Sequence, residues 1–176
     1  MLAERAFSAA WSPDGKELMF AGHKNGSMDY EVRRLDIQTG MVSEIPGGQQ
    51  KFVLAWSAEG RQVAKDEAAS LWILDPQARK WNQLFQGPCA TATPSPDGNY
   101  VYCETSNVPY HKVVRVRISS GHVETVMEIK GLRRVVDDEE GTLLSVALDG
   151  SVLLTRCGHG RDLRPRREVA VTSRDN

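Results

Sequence analysis

Trp11-Ser12-Pro13-Asp14-Gly15 is the stretch on which the fold turns. Proline fixes φ, aspartate bonds to its own backbone two residues on, and glycine accepts positive φ, so Pro13-Asp14-Gly15 is the chemistry of a tight turn. Apolar residues precede the turn and Glu17-Leu18-Met19-Phe20-Ala21 follows it, which makes the pentapeptide the tip of a β-hairpin.

The pentapeptide recurs. Trp56-Ser57-Ala58-Glu59-Gly60, Pro94-Ser95-Pro96-Asp97-Gly98 and the eroded Val146-Ala147-Leu148-Asp149-Gly150 are three further versions, with glycines spaced 45, 38 and 52 residues apart. Each copy lies between two apolar runs, such as Phe52-Val53-Leu54-Ala55-Trp56 before it and Asn99-Tyr100-Val101-Tyr102-Cys103 after it. A third run follows at Tyr30 to Leu35, Leu71 to Leu74 and Val113 to Ile118, and a fourth at Met41 to Ile45, Lys80 to Phe85 and His122 to Met127. Val114, Val116 and Ile118 alternate with Arg115 and Arg117, the period-2 pattern of a strand with one wet face. A four-strand unit repeating at about 45 residues is the period of a propeller blade. The expected fold is all-β, an arc of about three and a half four-stranded antiparallel blades near residues 7–46, 51–86, 89–130 and 142–156.

The chain has 176 residues, 22 Lys+Arg against 23 Asp+Glu and 40% hydrophobic residues. Near-zero net charge supplies no field to gather nucleic acid or an anionic membrane. No stretch reaches the roughly 18 apolar residues of a spanning helix, and Met1-Leu2-Ala3-Glu4-Arg5 does not open an export signal. The expectation is a cytoplasmic chain as it stands, or a periplasmic one if it belongs to a larger tethered protein.

Candidate chemistry is sparse. No Gly-x-Ser-x-Gly elbow is present for a serine nucleophile. His23, His111, His122 and His159 share no ligand spacing and are expected as solvated loop residues, with no metal and no cofactor. Gly47-Gly48 and Gly158-His159-Gly160 lack the strand-to-helix setting of a phosphate cradle and are expected to be turns. Asp14, Asp97 and Asp149 recur at one place because the turn needs them, so the repeat tag (Trp11, Ser12, Pro13, Asp14, Gly15; Trp56, Ser57, Gly60; Ser95, Pro96, Asp97, Gly98; Asp149, Gly150) is a structural motif and no catalytic residue is assigned. Trp11 and Trp56 are expected to be buried between blades, and Trp72 and Trp81 to be exposed on outer strands. Arg133-Arg134 and Asp137-Asp138-Glu139-Glu140 are expected as a solvated charged loop. In a simple hairpin register Ala92, not Cys89, opposes Cys103, so Cys89 and Cys103 are expected as buried free thiols.

The Trp-Ser-Pro-Asp-Gly tag, with a strand ending in Leu35-Asp36 and a Thr39-Gly40 turn, resembles the WD-repeat-like, Tol-system-propeller-like repeat of bacterial proteins over residues 7–156. Lys80 to Leu84, Val114 to Ile118 and Lys130 to Arg134 resemble the C-terminal end of large members in which a propeller follows a winged-helix or Ser/Thr kinase domain. The resemblance implies a non-catalytic module for protein or ligand interaction, through mouth loops such as 22–29 and 106–111. The alternative it implies is the sensory part of a regulator or kinase whose effector lies outside this chain. The tag departs from the family at Pro94, at Ala58 and across Val146-Ala147-Leu148, so the fourth blade matches least well. An arc leaves its first and last faces uncovered, and either further blades or self-association is expected to cover them.

Composition breaks at Arg156. Residues 156–176 hold six arginines and three acids, whereas residues 1–155 hold 16 bases and 20 acids. One permitted codon choice for residues 157–172, read one base later, spells Val-Gly-Thr-Glu-Glu-Ile-Tyr-Ala-Leu-Asp-Val-Lys-Trp-Pro and a stop, which resembles the family's next strand. Residues 157–176 are accordingly expected to be an irregular basic tail produced by a frameshift, the alternative being a natural tail for anionic partners. Sequencing the gene is the check. Bases after the Arg156 codon that encode this peptide in the shifted frame are expected, and any other sequence there removes the frameshift reading.

Overall fold

A computed structural model describes residues 6–23, 27–105, 111–129, 142–156 and 169–171. Every regular element among them is a strand. β1 (Ala6–Trp11), β2 (Glu17–His23), β3 (Tyr30–Asp36) and β4 (Val42–Gln49) form blade 1. β5 (Lys51–Trp56), β6 (Gln62–Asp66), β7 (Leu71–Asp75) and β8 (Lys80–Phe85) form blade 2, and β9 (Cys89–Pro94), β10 (Tyr100–Thr105), β11 (His111–Arg117) and β12 (Val123–Ile129) form blade 3. Blade 4 holds β13 (Thr142–Val146), β14 (Val152–Arg156) and β15 (Val169–Val171). All pairings are antiparallel between strands consecutive in sequence, so each blade is a meander closed by short-range hydrogen bonds.

The tag explains each first hairpin in atomic terms. The amides of Gly15, Gly60, Gly98 and Gly150 donate to Ser12, Ser57, Ser95 and Ala147 carbonyls at 3.0 Å, and all four glycines have φ between 70 and 82°. The serine is the part that the turn argument leaves out. Ser12, Ser57 and Ser95 are buried, and their Oγ atoms accept from the amides of Glu17 (2.9 Å), Arg61 (3.0 Å) and Tyr100 (2.9 Å), closing the loop from within. Ala147 of blade 4 has no such oxygen. The exposed turn acids cap the same loops: Asp14 takes the Lys16 amide and Asp149 the Ser151 amide, and these bonds hold both carboxyls below the usual range. Asp97 is lowered first by the Ser95 hydroxyl and then by Asn99.

Packing occurs between blades. Met19, Ala21, Val32 and Ile45 of blade 1 meet Val53, Ala64, Leu74 and Trp81 of blade 2. Val63, Leu71, Ile73 and Leu84 on the other face of blade 2 meet Cys89, Ala92, Val101, Val114 and Val116 of blade 3. Tyr102 and Val113 meet Leu144 and Val152 of blade 4. β1, β5, β9 and β13 touch in succession and form the inner wall of the arc.

Several expectations need correction. Trp56 lies half-buried against blade 1, its Nε1 donating to the Ala10 carbonyl at 3.0 Å, but Trp11 is 59% exposed because it points away from blade 2. Trp81 is buried in the blade 1–blade 2 core, and Trp72 is half-buried with Nε1 donating to Asp66 Oδ2 at 2.8 Å: an outer strand still faces the neighbouring blade. Cys103 does oppose Ala92, yet a register shift next to Thr105 skips Ala90 and sets Cys89 on the face of Cys103, where the two form a disulfide with Cα atoms 5.8 Å apart. Gly47 and Gly48 lie in β4, at its register shift, and form no turn; a side chain at Gly47 (φ +74°) would press on Trp81. His23 is a half-buried strand residue and His111 begins β11. Within the tail, Val169–Val171 pairs with β14 as a strand; His159, Arg133-Arg134, residues 137–140 and the rest of the tail lie outside the described residues.

Ser57→Ala should lower stability by about 1–2 kcal/mol in urea melts, since it strips the acceptor that the fully buried Ser57 hydroxyl presents to the Arg61 amide. An unchanged midpoint would show that the hydroxyl does not close the loop.

Candidate functional site

A meander sets strand starts and strand ends at fixed edges. The tag turns sit together at one end of the arc, and the start of β1, the end of β2, and the starts of β3 and β5 meet at the other. That second end gathers Phe7, His23, Tyr30 and Phe52. Phe7 lies 5.3 Å from the Tyr30 ring, 5.4 Å from His23 and 5.5 Å from Phe52 between ring centroids, and Tyr30 and Phe52 are 4.9 Å apart. The cluster spans blades 1 and 2, and the Phe7 ring remains 44% exposed at its centre.

Polar partners fix these rings. His23 Nδ1 donates to the Met28 carbonyl at 3.0 Å, which settles which ring nitrogen carries the proton. Tyr30 Oη donates to Glu67 Oε1 at 3.2 Å; burial, then the Glu67 carboxylate, pushes its pKa up to about 12.

Two lysines border the aromatic floor. Lys65 Nζ donates to the Ala90 carbonyl at 2.9 Å and lies 6.0 Å from the Phe52 centroid, its pKa lowered by burial. Lys51 Nζ stands 4.6 Å over Trp72; burial lowers its pKa against the opposing pull of Asp66. Ammonium groups over ring faces gain from the ring quadrupole, and partial desolvation strengthens that attraction. The mouth therefore offers aromatic faces, the Asp66 and Glu67 carboxylates and two ammonium groups in a partly dry setting.

The tag residues lie at the opposite end and hold turns. A concavity there, about 370 Å³, is lined by Arg61, Ile73, Asp75, Leu84 and Ile118 among others. Among the described residues, no three His, Cys, Asp or Glu side chains are grouped to hold a metal ion, and no helix is long and apolar enough to cross a membrane. Of the expected mouth loops, Ser27 and Asp29 form a local turn, with Ser27 Oγ donating to Asp29 Oδ2 at 2.9 Å; residues 24–26 and 106–110 lie outside the described residues.

Sequence reasoning missed this cluster although a signal was present. Phe7 and Phe52 each stand four residues before the tag tryptophan, and Ala90 and Thr142 occupy that place in blades 3 and 4. Among the described residues the aromatic mouth thus draws on blades 1 and 2, and Lys65 reaches over the small Ala90 at the equivalent place in blade 3.

Neither a protein-family model nor a curated protein matches the chain. Solved structures do. TolB from Acinetobacter baumannii is 18% identical with a TM-score of 0.59, over 85% of this chain and 39% of its own. An oligogalacturonate lyase in complex with manganese is 16% identical with a TM-score of 0.66, over 96% of this chain and 50% of its own. The β-propeller domain of the trilobed protease from Pyrococcus furiosus is 8% identical with a TM-score of 0.62, over 94% and 52%. At these identities the likeness establishes the fold: the chain is an arc of a TolB- and WD-repeat-like β-propeller, spanning between 39% and 52% of those three chains. The similar propellers include both enzymes and TolB.

Tyr30 tests the geometry of the mouth. Its ordinary value is 10.0 and its folded value about 12, so the fold holds the protonated form; the stability this provides is complete below pH 10 and drains away as pH rises toward 12. Tyr30→Phe should therefore lose less stability than the parent between pH 9 and 11 in denaturant melts. Parallel losses in the two proteins would mean that Tyr30 is not held in this way.

Proposed function

We propose that this chain is a non-catalytic β-propeller module that captures a protein segment or small ligand at the mouth formed by blades 1 and 2. The observation that carries this reading is Phe7, 44% exposed while in contact with His23, Tyr30 and Phe52, with Lys65 beside the Phe52 ring and Lys51 over Trp72. Rigid aromatic rings supply contact area at little entropic cost, and cations at their border select an acidic neighbour. The occupant that suits this surface is a segment with an apolar or aromatic anchor beside a carboxylate. Propeller mouths are built from loops and strand ends on a stiff scaffold, the usual division between framework and contact surface. The turn end, by contrast, spends its polar groups on its own backbone.

The test is a displayed peptide library selected on the immobilised chain. Selected peptides should protect the amides of His23, Tyr30 and Phe52 from hydrogen exchange. Their affinity should fall at least about tenfold in Phe7→Asp and stay unchanged in Asp14→Ala. Peptides insensitive to Phe7→Asp, or lost in Asp14→Ala, would move the contact surface away from this mouth.

A further inference from the structure

The Cys89–Cys103 disulfide and the bulge beside it each require the other. β9 and β10 pair Cys103 with Ala92 and Glu104 with Thr91, and the pairing then skips Ala90 to set Thr105 opposite Cys89. In unbroken register Ala90 would oppose Thr105, and Cys89 would turn to the face of Glu104, out of reach of Cys103. The extra residue brings the two sulfurs together, and the bond between them in turn holds the extra residue in place. The end of β9 thus has two discrete arrangements, and the covalent bond admits one of them.

Two contacts carry that arrangement into blade 2. The Cys89 amide donates to the Ala69 carbonyl at 2.9 Å, and the Ala90 carbonyl accepts from Lys65 Nζ at 2.9 Å. Ala69 belongs to the turn between β6 and β7, where it sits at φ +59°, a conformation that a residue with a Cβ keeps only when its surroundings hold it. Asp66 ties the same turn down from within: its carbonyl accepts from the Ala69 amide at 3.0 Å and its Oδ1 from the Ser70 amide at 2.9 Å. Glu67 stands on this turn and accepts from Tyr30 Oη, while Lys65 stands beside Phe52. One strand end in blade 3 therefore supports both the strained turn that holds Tyr30 and the ammonium group beside Phe52.

The sulfurs lie where a change is felt. Cys89 and Cys103 are both 0% exposed and pack with Val63 and Leu71 of blade 2, which are equally buried. Reduction adds a hydrogen to each sulfur and removes the tether, in an interior packed densely enough to register a single methylene.

We propose that Cys89 and Cys103 form a redox switch for the aromatic mouth. Oxidised, the pair fixes the bulge and keeps Glu67, Tyr30 and Lys65 in place; reduced, it releases the strand end and loosens them. The reductant is a low-molecular-weight thiol. Its thiolate attacks one sulfur, breaking the S–S bond to give a mixed disulfide and a cysteine thiolate that takes up a proton. A second thiolate then attacks the small-molecule sulfur of the mixed disulfide and releases the other cysteine. Two small thiols are oxidised to their disulfide, and Cys89 and Cys103 gain the two electrons and two protons; a small disulfide reverses the exchange. Because Cys89 is the first residue of β9, access needs only the opening of that strand end, a local event less costly than unfolding. The consequence for capture rests on the mouth reading above, whereas the switch is a property of the unliganded chain.

The full chain decides it, carried as Cys157→Ser so that only this pair reports, and prepared in glutathione disulfide or in dithiothreitol. The oxidised chain should be lighter than the reduced one by two hydrogens, with no glutathione attached. On reduction, exchange of the Cys89 and Ser70 amides should speed up by roughly tenfold or more, as for a local opening, while the Gly15 and Gly60 amides of the tag turns keep their rates. Acetylation of Lys65 by an N-hydroxysuccinimide ester, followed by mass spectrometry, should accelerate as well, and that of the exposed Lys16 should not. Cys89→Ser combined with Cys103→Ser should give the reduced pattern with either reagent; should that variant fail to fold, the two states of the parent pair carry the test. A chain that forms no internal disulfide would overturn the proposal. So would exchange at Cys89 and Ser70 that ignores reduction, or exchange that rises equally at Gly15 and Gly60, which would make the bond a staple for the whole fold.

Discussion

A four-stranded sheet with apolar side chains on both faces cannot stand alone in water, and everything else in this chain follows from that constraint. With no helix among the described elements to form a second layer, each blade must use its neighbours for cover. Blades 2 and 3 are covered on both sides, and three clusters, one per joint, hold the hydrophobic interior. The curvature of the arc, the inner position of β1, β5, β9 and β13, and the gathering of strand starts at one mouth are consequences of stacking meanders of one handedness about an axis. The aromatic mouth depends on it directly, because Phe7 and Phe52 belong to different blades and meet only when the joint between them has formed.

The turn chemistry that marks each blade was legible in the chain for a physical reason. Pro-Asp-Gly acts locally, so its meaning survives without knowledge of the rest of the fold, and the strands on either side of each tag could be placed from it. The buried serine was harder to interpret, since Ser57 matters through an amide four residues away that only the folded loop brings to it. Which face of a strand points where is not local at all. Trp11 and Trp56 occupy one place in the repeat and differ in burial only because one has a blade in front of it. An outer strand is not an exposed one, because the breadth of a blade carries the joint to its edge, and Trp81 is buried there. The cysteine pair turned on a single skipped residue, Ala90, and a register shift of that kind leaves no mark in hydrophobic periodicity.

The candidate site was less legible than the fold for the same reason. Its parts come from β1, β2, β3, β5 and β6 and from the turn that follows β6 at Glu67, so no contiguous motif exists to be found. Only the equal offset of Phe7 and Phe52 from their tags announced it. The raised Tyr30 hydroxyl and the lowered lysines arise from burial at a joint, which is again a property of two blades and not of either sequence segment.

The joints share a backbone plan but differ in the volume that fills it. The first contains Trp56 and Trp81 against Met19, Ala21 and Ile45; the second is lined by Val63, Val101, Val114 and Val116 with Ala92; the third turns on Tyr102 against Leu144 and Val152. Interiors are packed densely enough that a misfit of even a methylene is felt. Moving one blade to another's place would therefore leave a void at one boundary and an overlap at the next. The order of the blades is written in side-chain size, and the same repeat that makes the units look interchangeable is what lets their differences act as an address.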